Sequence, residues 1–480
     1  MDDSAEYRHV KRRRYITVAL SVSLTTVLCV GYVVADIFDK LPGVLTLQEV
    51  EHATAKTPGN AIAAATMVGG LDASKTVDAV AAKALISQFE TAASDFGGEY
   101  AIAIADAAGN VVAEQNLDTP YTPASTMKTL TAYAAAATLD MGSTLETQTY
   151  LEQREDGTSR LVLKGNGDML LGVGESDSAH INGRAGLGTL AANTAQALRQ
   201  RGITSVTLVY DDSLFGNDRW PNGIAELDPD HVYYAPTASM AVDGGRNWNG
   251  ANPTDPDTFS TYPVLSTQPA REAALVFAQR LTERGIAVNG SVEQGAVPDG
   301  TSPIATVSSA SLNEIMAFML RHSDNSLAEE FGRLLALHLT PAIHRPERCS
   351  RLNRYWLSGG FPPRLTMVNC SGLAEDSKLT AHTLLDVQQR NLTSGSGSAA
   401  AEGLSIVGFV GTAANRLNDA DEAGLIRAKT GSLGDVTSMT GNVSRHNGGA
   451  LSFAVIVNDP DDSEAAKSAI DTFVAALPKL

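Results

Sequence analysis

The chain has 480 residues, 43% of them hydrophobic and 19% charged, which is enough apolar material for a large core, enough length for more than one domain, and too little charge for a disordered chain. Its formal net charge is −18, and residues 1–14 are themselves basic, with five Lys or Arg against three Asp or Glu, so the remainder is more acidic still. A surface of that sign repels phosphate backbones and argues against a nucleic-acid partner.

From Tyr15 to Ala35 no charged residue occurs. These 21 residues would rise about 31 Å as a helix, the thickness of a hydrocarbon core, and are predicted to form a transmembrane anchor. Lys11 to Arg14 precede the segment while Asp36 and Asp39 follow it, so residues 1–14 read as a cytoplasmic tail and the bulk as extracytoplasmic. Val33 and Ala35 before Asp36 also make a small-residue cleavage pattern, so a cleaved signal peptide and a secreted product are the alternative. Residues 36–75, with LPGVLTL, TPGN and an Ala/Gly-rich run, lack steady periodicity and read as a stalk.

Regular structure is predicted from Thr76. TVDAVAAKALISQF has helical spacing of apolar residues, and YAIAIADAAGNVVAEQN is two alternating runs around an Ala-Gly-Asn turn, hence an antiparallel hairpin. ASTMKTLTAYAAAATL, with Pro123 just ahead of it, is strongly helical. Residues 76–145 therefore form the first part of one domain. Residues 146–300 read as an inserted α/β accessory region, in which AQALRQRGITSVTLV from Ala195 and AQRLTERGIAVNGSV from Ala278 share a pattern of helix, Gly stop and strand; chance similarity of two amphipathic helices would give the same pattern.

Residues 301–480 return to the first domain, with LIRAKTGSLGDVTSMTGNVS and GALSFAVIVND as consecutive strands and SEAAKSAIDTFVAAL as a closing helix. TSGSGSAAAEG, from Thr393, has the composition of a flexible surface loop. Of three cysteines, Cys29 lies within the anchor; Cys349 and Cys370 face an oxidising compartment, where they either pair or remain two buried thiols. The nine histidines are scattered, no His-Glu-x-x-His occurs, and the surroundings of Cys349 and Cys370 lack a zinc spacing, so neither a metal nor another cofactor is expected.

Three short motifs carry chemistry. Ser125-Thr126-Met127-Lys128 lies where the hairpin gives way to a helix, so residues three apart share a face and Lys128 can reach the Ser125 hydroxyl near a positive helix end. Ser323-Asp324-Asn325 falls in a break between two apolar-periodic helices, where a plain helix cap is the bland reading. Lys429-Thr430-Gly431, followed by Ser432, lies on a strand, where the missing side chain of Gly431 would let a substrate backbone lie along the edge; an ordinary strand end is the alternative. His322 beside the second motif reads as structural.

In this order and context the trio recurs in serine β-lactamases and penicillin-binding proteins, and the chain resembles that superfamily. Within it, the long insertion between Ser125 and Ser323 is similar to that of the low-molecular-mass class C penicillin-binding proteins, the D-alanyl-D-alanine carboxypeptidase/endopeptidase family. GNGDMLL from Gly165, YDDSLF from Tyr210, YYAPTASMAVDGGR from Tyr233, LSIVGFVGT from Leu404 and the SGL of Ser371 to Leu373 resemble it too, and the resemblance runs from about Thr76 to the end. Met169 after Asp168, where the family usually has Pro, and Val410 before Gly411, where an acidic residue is usual, depart from its pattern. The insertion is also somewhat short, so a reduced accessory domain is expected.

The resemblance implies an α+β, transpeptidase-like fold, an antiparallel sheet flanked by helices with the inserted α/β region, preceded by one transmembrane helix. It implies that Ser125 attacks the carbonyl between two D-alanines of a peptidoglycan stem peptide while Lys128, its pKa lowered by burial and by the Lys429 cation, takes the proton. Ser323 would pass a proton to the leaving amine, Asn325 would hold the substrate amide, and Asp324 would stabilise the turn. Lys429 and Thr430 would grip the terminal carboxylate, with Gly431 and Ser432 beside them and the N–H groups of Ser125 and Ser432 forming an oxyanion hole. β-Lactams would inhibit by acylating Ser125. A serine β-lactamase and a non-catalytic wall-binding protein are the rival readings; no Glu-x-x-x-Asn follows the second motif between Ser326 and Gly372, as a class A β-lactamase would require.

Overall fold

The structure is a computed structural model in which residues 3–38, 40, 74–339, 365–392, 397–417 and 422–480 are described. The chain divides into two units, residues 1–60 and 61–480. In the first, a single helix spans Asp3–Ile37, and its stretch Val18–Ala35 is long and apolar enough to cross a membrane. Val18, Leu20, Leu24 and Leu28 on it are exposed, as expected of a segment that no protein core buries. Nearly all of the predicted stalk lies outside the described residues, as does Cys349; Cys370 is fully buried and disulfide-bonded.

The second unit opens with the helix Ala79–Phe96, then the hairpin β1 (Glu99–Asp106) and β2 (Val111–Gln115). Asp106 sets the turn: its Oδ1 accepts the N–H groups of Ala108 and Asn110 at 2.9 Å each. After the helix Lys128–Ala136 the chain enters β3 (Thr144–Gln153), β4 (Ser159–Gly165), β5 (Asp168–Leu171), β6 (Ser205–Asp211), β7 (Met240–Val242), β8 (Ala287–Gln294) and β9 (Pro303–Ser311). It then returns through the helices Leu312–His322 and Asn325–Leu339 to β10 (Ser405–Ile406), β11 (Ile426–Leu433), β12 (Val436–Ser444) and β13 (Ala450–Asn458), and closes on the helix Ser463–Ala476.

One six-stranded antiparallel sheet, in the order β10-β11-β12-β13-β1-β2, joins the early and late strands of this unit, with Ile102 opposite Val455. The alternation read in YAIAIAD separates its faces. Ala101, Ala103 and Ala105 turn toward the helices that carry the first two motifs, while Ile102 and Ile104 pack with Phe453, Phe89 and Phe473 under the helices Ala79–Phe96 and Ser463–Ala476. Each large side chain so buried contributes about 1.5–3 kcal/mol. The alanines leave room for the helix Ala381–Leu392 to lie close against β1 and β13.

The second sheet, β8-β6-β4-β3-β9, is mixed, and the helices Leu187–Arg199 and Pro269–Glu283 bury their apolar stripes with its inner residues. The weak repeat is structural: both units run helix, left-handed glycine (Gly202 at φ +71°, Gly285 at φ +79°) and strand, and the resulting β6 and β8 pair in parallel with Ser205 opposite Ala287. Of TSGSGSAAAEG, expected to be a loop, residues 393–396 lie outside the described residues, and the part from Ser398 departs from that expectation. Ser398–Gly403 is a short helix with Ala399, Ala400 and Gly403 buried, and a Cβ on Gly403 would come within 2.8 Å of Leu320. The small residues serve close packing against the helix Leu312–His322, which composition alone does not distinguish from flexibility.

Candidate active site

Ser125 lies in a 3-10 turn, Ala124–Met127, that runs straight into the helix beginning at Lys128. The turn is forced by Ala124 at φ +49°, a left-handed conformation unfavourable for a residue with a side chain. Three neighbours hold it. Ser438 Oγ donates to Pro123 O at 2.7 Å; Gly372 lies so close that a Cβ would come 2.0 Å from Ala124 O; and a Cβ on Gly431 would come 2.2 Å from Ser438 Oγ and 2.9 Å from Pro123 O. The sequence assigned the bare backbone of Gly431 to substrate; in the structure the position its Cβ would take faces the Ser125 turn.

Lys128 is fully buried, and its Nζ donates to Ser125 Oγ at 3.0 Å, Asn325 Oδ1 at 2.6 Å and Ser371 O at 2.7 Å. Burial brings its pKa down to about 7, against the pull of the Asp324 and Glu329 carboxylates, which favour the charged amine. The expected depression of Lys128 by the Lys429 cation is replaced by the converse: Lys429 falls well below the ordinary lysine value through its own burial and the Lys128 charge.

Ser323 ends the helix Leu312–His322 in the left-handed conformation, φ 56° and ψ 35°, and the chain restarts as a helix at Asn325. Asp324 tightens this break. Its Oδ1 accepts the N–H of Leu327 at 2.9 Å, and its Oδ2 is ion-paired with Arg246, both side chains being at most 9% exposed. Asn325 spends both ends of its amide, accepting from Lys128 and donating Nδ2–H to Tyr233 O at 2.8 Å, which leaves one N–H for a ligand. His322 is structural as read: it stacks on Phe259 with centroids 4.3 Å apart and hydrogen-bonds Asp257 O at 2.9 Å through Nε2.

The third motif lies on β11. Lys429 Nζ donates to Ser323 Oγ at 2.9 Å and to Thr430 O at 2.7 Å, and Thr430 Oγ1 donates to Thr412 Oγ1 at 2.7 Å. Ser432 is exposed two residues on. The short β10 pairs only with Arg427 and Ala428, so among the described residues no strand covers the outer edge of β11 from Lys429 onward. Such an edge can take an extended peptide as a further strand. All three motifs thus meet at one place: Lys128 joins the first to the second through Asn325, and Lys429 joins the third to the second through Ser323.

Ser371 O, Glu329, Arg246 and Thr412 complete the surroundings and were not singled out for these contacts in the sequence. Glu329 had a signal, since it follows Asn325 by four residues and so shares its helix face, where a charge amid apolar spacing is unusual. Ser371 and Thr412 lay within stretches noted only for resemblance. Among the described residues no cluster of three or more His, Cys, Asp or Glu is arranged to hold a metal ion.

Against known proteins, the chain matches the family model described as D-Ala-D-Ala carboxypeptidase 3 (S13) over residues 82–258 and 248–477. It is 32% identical over 378 residues to a carboxypeptidase, DacB, of Mycolicibacterium smegmatis, an alignment that covers 76% of each chain. A carboxypeptidase of Mycobacterium tuberculosis is 30% identical over 377 residues, covering 75% of this chain and 76% of that one. Among solved structures, penicillin binding protein 4 of Haemophilus influenzae is similar at a TM-score of 0.66 and 19% identity, covering 82% of this chain and 99% of the other, a likeness of fold.

Proposed function

The chain belongs to the D-Ala-D-Ala carboxypeptidase 3 (S13) family and is a serine-type D-Ala-D-Ala carboxypeptidase; from that premise we propose that Ser125 is its nucleophile and Lys128 its base. The observation that carries this reading is the environment of Lys128 Nζ. A neutral amine has two N–H groups and one lone pair; with Asn325 Oδ1 and Ser371 O taking the N–H groups, the lone pair is left for the Ser125 hydroxyl at 3.0 Å. A pKa of about 7 keeps a large share of the amine in that form near neutrality.

A stem peptide would lie along the free edge of β11, its terminal carboxylate against Lys429 and Thr430 and its preceding amide against the remaining N–H of Asn325. As Ser125 Oγ bonds the carbonyl carbon, its proton passes to Lys128 and the oxyanion settles between the N–H groups of Ser125 and Ser432. The C–N bond then breaks. Lys429 donates to Ser323 Oγ, so the Ser323 O–H can point at the departing nitrogen; it gives its proton to make D-alanine's amine and receives in exchange the proton that Lys128 took from Ser125, which leaves Lys128 neutral for the second half. Water next attacks the acyl-enzyme with Lys128 again as base, and Ser125 regains its hydrogen. On cross-linked stem peptides the same steps cut the bridge. β-Lactams, which mimic the dipeptide, enter the first half of the cycle.

Residues 76–145 and 301–480 supply the catalytic domain in this account, and 146–300 the accessory insertion. The apolar helix, with Lys11 to Arg14 before it, supports a single-pass anchor that leaves the catalytic unit outside the cytoplasm. The test is release of D-alanine from a peptide ending in D-Ala-D-Ala. Release by the native chain and none by Ser125→Ala is expected; release by both would overturn the assignment.

A further inference from the structure

Glu329 lies one helical turn after Asn325 and is 2% exposed. Its Oε1 accepts the Ser371 N–H at 2.8 Å, and the carbonyl of that same residue accepts from Lys128 Nζ at 2.7 Å. One helix face therefore grips Lys128 twice, directly through Asn325 and through the Ser371 residue by way of Glu329. Burying a carboxylate is costly, and glutamine would offer the Ser371 N–H the same acceptor without that cost. Arg333 offsets part of that cost, and the same carboxylate also acts on Lys128, whose charged form it favours.

We infer that Glu329 is a positioning residue for acylation: it aims the Ser371 carbonyl at Lys128 Nζ and steadies that amine while it carries the Ser125 proton. This rests on the reading of Lys128 as base. The charged groups that act on Lys128 are Asp324 and Glu329, which favour its protonated form, while the neighbouring amine of Lys429 is itself pushed well below the ordinary lysine value by burial and by the Lys128 charge; Glu329 in turn faces Arg333 and the buried phenol of Tyr234, which its charge helps to raise. Burial raises the Glu329 carboxyl itself, and the Ser371 hydrogen bonds and Arg333 oppose the rise.

The experiment is the rate of Ser125 acylation by benzylpenicillin as a function of pH, on the full chain in detergent, for the native protein, Glu329→Gln and Glu329→Asp. The base must be neutral, so acylation rises with pH as Lys128 loses its proton, and a neighbouring anion moves that midpoint upward. Glu329→Gln keeps an acceptor but loses the charge. Its midpoint is expected to fall by roughly one pH unit and its plateau by about tenfold. Glu329→Asp, which keeps the charge and shortens the reach, should hold the native midpoint at a lower plateau. A Glu329→Gln midpoint at the native pH, or a Glu329→Asp plateau at the native rate, overturns the inference while leaving Lys128 as base. A native profile with no rise near neutrality overturns both.

Discussion

Asn325 Oδ1 accepts a hydrogen bond from Lys128 Nζ at 2.6 Å, so the second motif is tied to the first through the base and not through the nucleophile. Asn325→Ala removes that acceptor and lets the amine swing away from Ser125. Acylation by a fluorescent penicillin is expected to slow by about 10²-fold, the scale of one proton-transfer group misplaced. A loss confined to peptide KM, with acylation unchanged, would mean that Asn325 holds substrate only.

Lys128 titrates at about 7 because it is buried, and only its neutral form can take a proton. The sign is therefore fixed: kcat/KM for a D-Ala-D-Ala peptide rises through neutrality as pH increases and falls off on the acid side. Lys128→Arg, whose guanidinium stays protonated at every accessible pH, should lose activity across the whole range, about 10³-fold or more. An unchanged acid limb in that variant would assign the ionisation elsewhere.

Gly431→Ala tests what the glycine of the third motif is for. The new methyl would meet Ser438 Oγ at 2.2 Å and Pro123 O at 2.9 Å, behind the Ser125 turn. Overpacking of this kind costs about 1–3 kcal/mol, so Tm should drop and Ser125 acylation should slow together. A variant of native Tm that fails only in substrate binding would return Gly431 to the role the sequence suggested.

Removal of Arg246 leaves Asp324 buried without its cation. Arg246→Met is expected to destabilise the fold by about 3–5 kcal/mol in chemical denaturation, because breaking a buried pair strands a charge. Loss within the range of an exposed pair, below about 1 kcal/mol, would contradict the burial argument.

What was legible in the sequence was local. Each motif carried a near-neighbour signal: a helix start for Ser125 and Lys128, an interhelical break for Ser323 and Asn325, a strand for Lys429 to Ser432. Contacts that close only through the fold were not legible. Ser371 O reaches Lys128 across 243 positions of sequence, and the close packing behind Gly431 comes from Pro123 and Ser438, so neither spacing nor composition could reveal them. The alanines of Ser398–Gly403 misled for a related reason: smallness reads as looseness until the neighbour it fits, Leu320, is in place. Lys429 illustrates electrostatics of the same kind, since which of two buried lysines yields its proton depends on the carboxylates of Asp324 and Glu329 near Lys128.

The central claim is that Ser125, activated by Lys128, forms a slowly hydrolysed acyl-enzyme, and intact mass of the detergent-solubilised chain after brief exposure to benzylpenicillin tests it most directly. The account predicts a lasting adduct of the drug's full mass on the native chain and none on Ser125→Ala. An unmodified chain with the drug intact would contradict the nucleophile, and a drug consumed without a lasting adduct would contradict the slow hydrolysis and mark a β-lactamase instead.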